Sequence, residues 1–251
     1  MTEKRQNIVA PVFFLFFCIV ELLVLVALKL VEAFCPLSLA DTYLMFLAIL
    51  LNTLFMLFLV IRVKKACKDT VWRGIPLAVF LTLLADCFLI MLYDLSFAEV
   101  ISFISPLTAN MIGFFVFGMV QIVYACYLGM TKRRLIIRAG FYLVFIVAVA
   151  AAGLLSIDRF IACISMSQLI LNLVYGWIEH CKKQTGASLL LAIGMTLFFS
   201  CDAFIMIRML IPAEGLLYAF VFFMVWVFYI PSQVVLTASY LADRTNAYVT
   251  D

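Results

Sequence analysis

The chain has 251 residues, 68% of them hydrophobic and 12% charged, with a formal net charge of +3. A soluble domain is about 45–50% apolar and about 25% charged, so this composition excludes one and indicates an all-α integral membrane protein. The small positive balance follows from membrane topology and needs no nucleic-acid partner to explain it.

A helix crossing the hydrocarbon core needs about 20 mainly apolar residues. Charged residues, Pro and Gly divide the chain into eight such stretches joined by short linkers, which predicts a single membrane domain over 1–251, a bundle of eight transmembrane helices. The first, 8–31, carries Glu21 at its middle. It is too long for the apolar region of a signal peptide and has no A-x-A cleavage pattern, so it is read as retained. The second, 39–62, carries Asn52, and the third, 73–93, carries Asp86. The fourth, 106–130, holds Gln121 and Tyr124, whereas the fifth, 139–156, has no carboxylate or carboxamide. The sixth, 159–178, contributes Gln168 and Asn172. The seventh, 187–211, holds Asp202 and, six residues on, Arg208, which either snorkels to the interface or meets a phosphate. The eighth, 215–241, holds Tyr229 and Gln233.

Of the 17 Lys and Arg, only Lys29, Arg159 and Arg208 fall on one side of this arrangement. That side carries Glu32, Asp41, Asp94, Glu99, Asp158 and Glu214 instead. The positive-inside rule then places both termini in the cytoplasm, in a bacterial plasma membrane or an endoplasmic reticulum alike. Clusters such as Lys132-Arg133-Arg134 are also suited to anionic membrane lipids. The eight Cys form no C-x-x-C pair and read as small packing residues. The single His180 cannot build a His-rich metal site, and no nucleotide-binding, serine-hydrolase or zinc motif is present, so neither metal nor cofactor is expected. Catalysis, if there is any, must rest on carboxylates.

Counted from the cytoplasmic ends, Glu21, Asp86 and Asp202 lie about 13 to 15 residues in, roughly 20 Å at the helical rise. A carboxylate at that depth costs about 2.5 kcal/mol or more, which makes it a candidate functional group. Each Asp is followed one helix later by a Gln and a Tyr: Gln121 and Tyr124, then Tyr229 and Gln233. Buried polar groups must find partners, and a shared cavity inside the bundle is the simplest arrangement. Asn52 and Asn172 read as interhelical hydrogen-bond glue. The runs LTLLADCFLIML and MTLFFSCDAFIMIRML, each followed by a Gln-bearing helix, suggest a parallel internal repeat of spans three and four with seven and eight. The many aromatic residues read as lipid-facing bulk and interface anchors.

The residues Leu84-Ala85-Asp86, Gln121-x-x-Tyr124, Phe198-Phe199-Ser200-Cys201-Asp202 and Tyr229-x-x-x-Gln233 resemble the YhhN-like family of eight-span membrane proteins, which includes the lysoplasmalogenases. The resemblance covers the whole chain in span count and topology, and in residues it is confined to spans three, four, seven and eight. The chain departs from the family pattern at Ala85, where Gly is usual, and at Gln121, where His is frequent. The Ser usually adjacent to the second Asp stands one place earlier, at Ser200.

The resemblance implies hydrolysis of the vinyl-ether bond of a lysophospholipid to a fatty aldehyde and a glycerophospho-base. Such a bond breaks by proton transfer to the β-carbon, and water captures the resulting oxocarbenium ion. One carboxyl supplies the proton while a second carboxylate stabilises the cation and activates water, as in glycoside hydrolysis. Asp86 and Asp202 are the expected pair, with Gln121, Tyr124, Tyr229, Gln233 and Glu21 around the substrate. Which Asp is acid and which is base stays open. A transporter or lipid-binding protein using the same polar cavity without bond cleavage is the alternative, since midplane carboxylates also relay protons and coordinate ions.

Overall fold

The computed structural model describes residues 74–153, 156–211 and 216–249, together with Val20, Leu23, Ala27, Leu47, Leu50, Leu51, Thr53 and Leu54. The expected first and second spans, with Glu21 and Asn52, lie outside the continuous described stretches. Among the described residues the protein is all-helical, and six helices are long and apolar enough to cross a membrane. It is a multi-pass membrane protein.

The first of these spans, Ile75–Phe97, is composite. Helix α1 (Ile75–Asp86) starts after Gly74, which holds a positive φ of 86°, and has Pro in its first turn. A π-helix (Cys87–Leu92) follows at once, and α2 (Tyr93–Phe97) completes the span. The charge at Asp94 ends this span at 93 in the sequence reading, whereas the helix continues through it to Phe97. Helix α3 (Pro106–Tyr127) is capped by Ser105, whose side chain accepts from the Thr108 amide at 3.1 Å.

Helix α4 (Lys132–Ala151) begins earlier than the stretch 139–156 expected from hydropathy. Thr131 caps it, accepting from the Arg134 amide at 3.2 Å. The Arg134 guanidinium turns back to donate to the carbonyls of Leu128 and Gly129, which end α3. A hydropathy window stops at such charges, but in a first helical turn they reach the interface or the preceding helix end. Arg134 also meets Glu179 at 2.5 Å, with Lys182 and Lys183 at 3.9 and 3.8 Å from the same carboxylate. The pairs stand at the edge of the bundle and are worth only a fraction of a kcal/mol to about 1 kcal/mol each.

Helix α5 (Ile157–Lys183) ends at Gln184 in the left-handed conformation. Helix α6 (Gly186–Leu210) opens with a reciprocal Thr185/Ser188 capping box, and α7 (Leu216–Val249) contains Pro231. Pro231 removes one amide from the helical ladder. The Ser232 hydroxyl donates to the Tyr229 carbonyl at 2.6 Å just beside that break.

The core lies among α1, α3, α5, α6 and α7. Phe117 and Tyr124 of α3 meet Phe198 of α6 edge to face, at 5.5 and 6.4 Å between ring centroids. Among the described helices α4 packs on α5, and Arg138 is its buried residue. Close helix approach depends on glycine: a Cβ at Gly194 of α6 would stand 2.7 Å from the Leu236 side chain of α7. Gly194→Ala should therefore destabilise by about 1–3 kcal/mol through overpacking. Thermal unfolding in detergent checks this, and Leu236→Ala in the same chain should recover part of the loss.

Candidate functional site

Asp86 is the last residue of α1, where the ladder passes into the π-helix. Single-turn π segments inside α-helices recur at functional sites, because the extra residue per turn shifts side chains off the helical face. Asp202 stands on α6, next to the fully buried Cys201. Both carboxyls are buried, at 8% and 7% relative exposure.

The two helices aim these groups into one cavity of about 530 Å³. The cavity falls in the ordinary size range of small-molecule sites. Leu89, Ile90, Phe114, Phe117, Phe198, Phe222 and Val225 supply apolar walls. Asn110, Asp94, Arg208, Ile211 and Tyr218 line it near the helix ends that lie away from Lys132 and Lys182. The space thus combines two buried carboxyls with apolar walls and a polar, charged end.

Tyr229 of α7 joins the carboxyls, and its hydroxyl donates to Asp86 Oδ2. Trp226 packs edge to face on Tyr229 at 5.9 Å and on Phe222 at 6.3 Å, so one face of α7 forms an aromatic wall. Trp226 lines the cavity, and its buried Nε1 has no hydrogen-bond partner among the described residues.

The other expected residues sit elsewhere. Gln121 is fully buried but belongs to a separate polar cluster. There Asn172 Nδ2 donates to the Gln121 backbone carbonyl at 2.8 Å and to its Oε1 at 3.0 Å. Arg138 donates to Asn172 Oδ1 at 2.8 Å, with its guanidinium 5.3 Å from the Tyr175 ring centroid. Tyr124 is buried against Phe198, and its hydroxyl has no partner among the described residues. The Gln233 amide is likewise buried without one. None of Gln121, Tyr124 and Gln233 lines the cavity. Glu21 lies outside the described residues.

Sequence reading alone did not single out Trp226, Tyr218, Phe222 or Asn110 as cavity residues. Aromatic side chains recur all around these helices, so no apolar stripe separates a cavity face from a lipid face. Asn110 gave the one available signal, a carboxamide in the first turns of a span.

Comparison of the chain with protein-family models, curated proteins and solved structures gives no match.

Proposed function

We propose that this protein is a membrane hydrolase that cleaves the vinyl-ether bond of a lysoplasmalogen or a related lysolipid. The observation carrying this reading is the placement of Asp86 and Asp202 in one apolar-walled cavity, with Tyr229 bonded to Asp86. The family resemblance in the Asp86, Gln121, Asp202 and Tyr229 segments supports it. On this reading the chain is an eight-span member of the YhhN-like family, with a parallel internal repeat. Both termini face the cytoplasm, and in a bacterial cell it resides in the plasma membrane.

The proposed roles follow from donor strength: the Tyr229 hydroxyl bonds Asp86, whereas Asp202 has the weaker Cys201 thiol beside it. Asp86 accepts from Tyr229, which suits the carboxylate that stabilises a cation and takes a proton from water. Asp202 is then the acid that protonates the β-carbon. Water adds to the oxocarbenium carbon, and the hemiacetal collapses to aldehyde and free glycerol hydroxyl. One water is consumed, and the proton taken up by Asp86 replaces the one that Asp202 gave.

Tyr229→Phe should lower the turnover number for aldehyde release by about tenfold or more, the usual loss for a hydrogen bond to a charged group. Its packing on Trp226 should keep thermal stability close to wild type. Steady-state aldehyde release by the purified variant checks the first point.

A second reading, transport through the same cavity, draws on the π-helix and Pro231, irregular segments that adjoin Asp86 and Tyr229. Helix irregularities of this kind also form hinges in transporters. Aldehyde release by detergent-purified protein supports the hydrolase. Gradient-dependent uptake in sealed vesicles without aldehyde supports the transporter.

A further inference from the structure

The cavity carries a cation that the two-carboxylate chemistry leaves unused. Arg208 lies on α6, six residues beyond Asp202, a rise of about 9 Å along the helix. An arginine at a membrane helix end ordinarily snorkels toward water with its head group solvated. Here the guanidinium is held against the cavity wall. Its Nε donates to the Tyr218 hydroxyl at 2.9 Å, and its carbon stands 5.4 and 5.0 Å from the ring centroids of Tyr218 and Phe222. All three residues line the same cavity as Asp86 and Asp202.

No ion pair of Arg208 is found among the described residues, and Asp94, which lines the same end of the cavity, is engaged in an interaction of its own. Tyr218 takes one of the five guanidinium N–H groups, and the Nη donors keep the planar fork suited to phosphate. Asn110 lines the same cavity and adds a carboxamide. Two aromatic faces fix the fork in place, which lowers the entropy lost when it grips an anion.

We propose that Arg208, braced by Tyr218, is an anion subsite at the polar end of the cavity that takes the phosphate ester of an amphiphile whose chain lies along the apolar walls. The inference rests on the hydrolase reading for its substrate class, and it names the residue that selects phosphorylated over neutral lipids. The spacing fits: a glycerol unit and an ether oxygen separate phosphate from vinyl carbons by a length comparable to the rise from Arg208 to Asp202.

Trp226 in the cavity wall provides the test. Full-length protein in an uncharged detergent is titrated with lysophosphatidylcholine bearing a brominated chain, and separately with a neutral monoalkylglycerol bearing the same chain. Quenching of Trp226 is read against a Trp226→Phe background. Arg208→Gln should raise the half-quenching concentration of the phosphate lipid about tenfold or more, as expected for loss of a charge-assisted contact. The neutral lipid should bind as in wild type, which also shows that the variant is folded. Tyr218→Phe, a milder change, should shift the phosphate lipid in the same direction.

Relief of quenching by millimolar glycerol 3-phosphate would support a subsite open to soluble phosphate esters. Absence of relief, with the Arg208 effect intact, would support one that takes phosphate only on a lipid. Unchanged phosphate-lipid binding in both variants overturns the proposal, and so does an equal loss for both lipids in both variants, which assigns Arg208 to packing. Repeating the titration in Asp86→Asn separates the two readings, since binding needs no cleavage. Arg208-dependent binding without aldehyde release removes the hydrolase reading alone, and aldehyde release with Arg208-independent binding removes the subsite alone.

Discussion

Asp86→Asn and Asp202→Asn should each lower aldehyde release about 10²- to 10⁴-fold while leaving the fold intact, the range expected when a general acid or base is removed. Asn has almost the shape of Asp but can neither give nor take the proton. The effects should not add in the double variant, because the two groups serve one reaction. Stability should move the other way or not at all, since both side chains are buried and a neutral amide is less costly there than a carboxylate. Asp86→Asn retains an oxygen able to accept from Tyr229, so the aromatic wall of α7 should stay in place. Steady-state rates and thermal unfolding of the purified variants check both parts. Full activity in both single variants would remove the two carboxyls from the chemistry.

The largest stability effect is expected outside the cavity lining, at Asn172. Arg138 is 2% exposed, donates to Asn172 Oδ1 at 2.8 Å, and keeps Nε and Nη1 without close partners among the described residues. The Tyr175 face and the Tyr142 hydroxyl are its other stabilising contacts. Asn172→Leu leaves this buried cation without its acceptor, and stranding a buried charge costs about 3–5 kcal/mol. For a chain of this size that corresponds to a fall of about 10 °C in the thermal midpoint. Arg138→Met combined with Asn172→Leu should recover more than half of the loss, because the charge leaves together with its partner. Unfolding in detergent checks the pair. If Asn172→Leu alone unfolds at the wild-type temperature, Arg138 is solvated in the membrane and the cluster contributes little.

These two expectations mark where sequence reading reaches and where it stops. Asp86 and Asp202 were legible because a carboxylate inside an apolar span is an energetic anomaly in any fold. Tyr229 was legible by its position one helix after Asp202, although its hydroxyl serves Asp86. Gln121 met the same positional criterion and yet joins Arg138 and Asn172, since depth along a helix says nothing of the direction a side chain takes. Asn172 read as interhelical glue, and its two bonds to Gln121 fit that role; its service to a buried arginine was hidden. Arg138 was counted with the basic loop because a hydropathy window cannot distinguish a loop charge from one in the first turns of a capped helix. The π-helix after Asp86 has no residue signature, for Cys87–Leu92 has the composition of any apolar helix. The aromatic wall was obscured by the abundance of Phe and Tyr on every face.

Hydrolysis by these carboxyls turns on a proton delivered to the β-carbon of a vinyl ether, and solvent deuterium reports that step directly. Purified wild-type protein is incubated with a lysoplasmalogen in D2O, and the fatty aldehyde is analysed at once by mass spectrometry. The expected product is aldehyde carrying one deuterium on the carbon next to the carbonyl, formed at a rate that collapses in Asp202→Asn. Recovery of the intact lysolipid, or aldehyde without that deuterium, would contradict it.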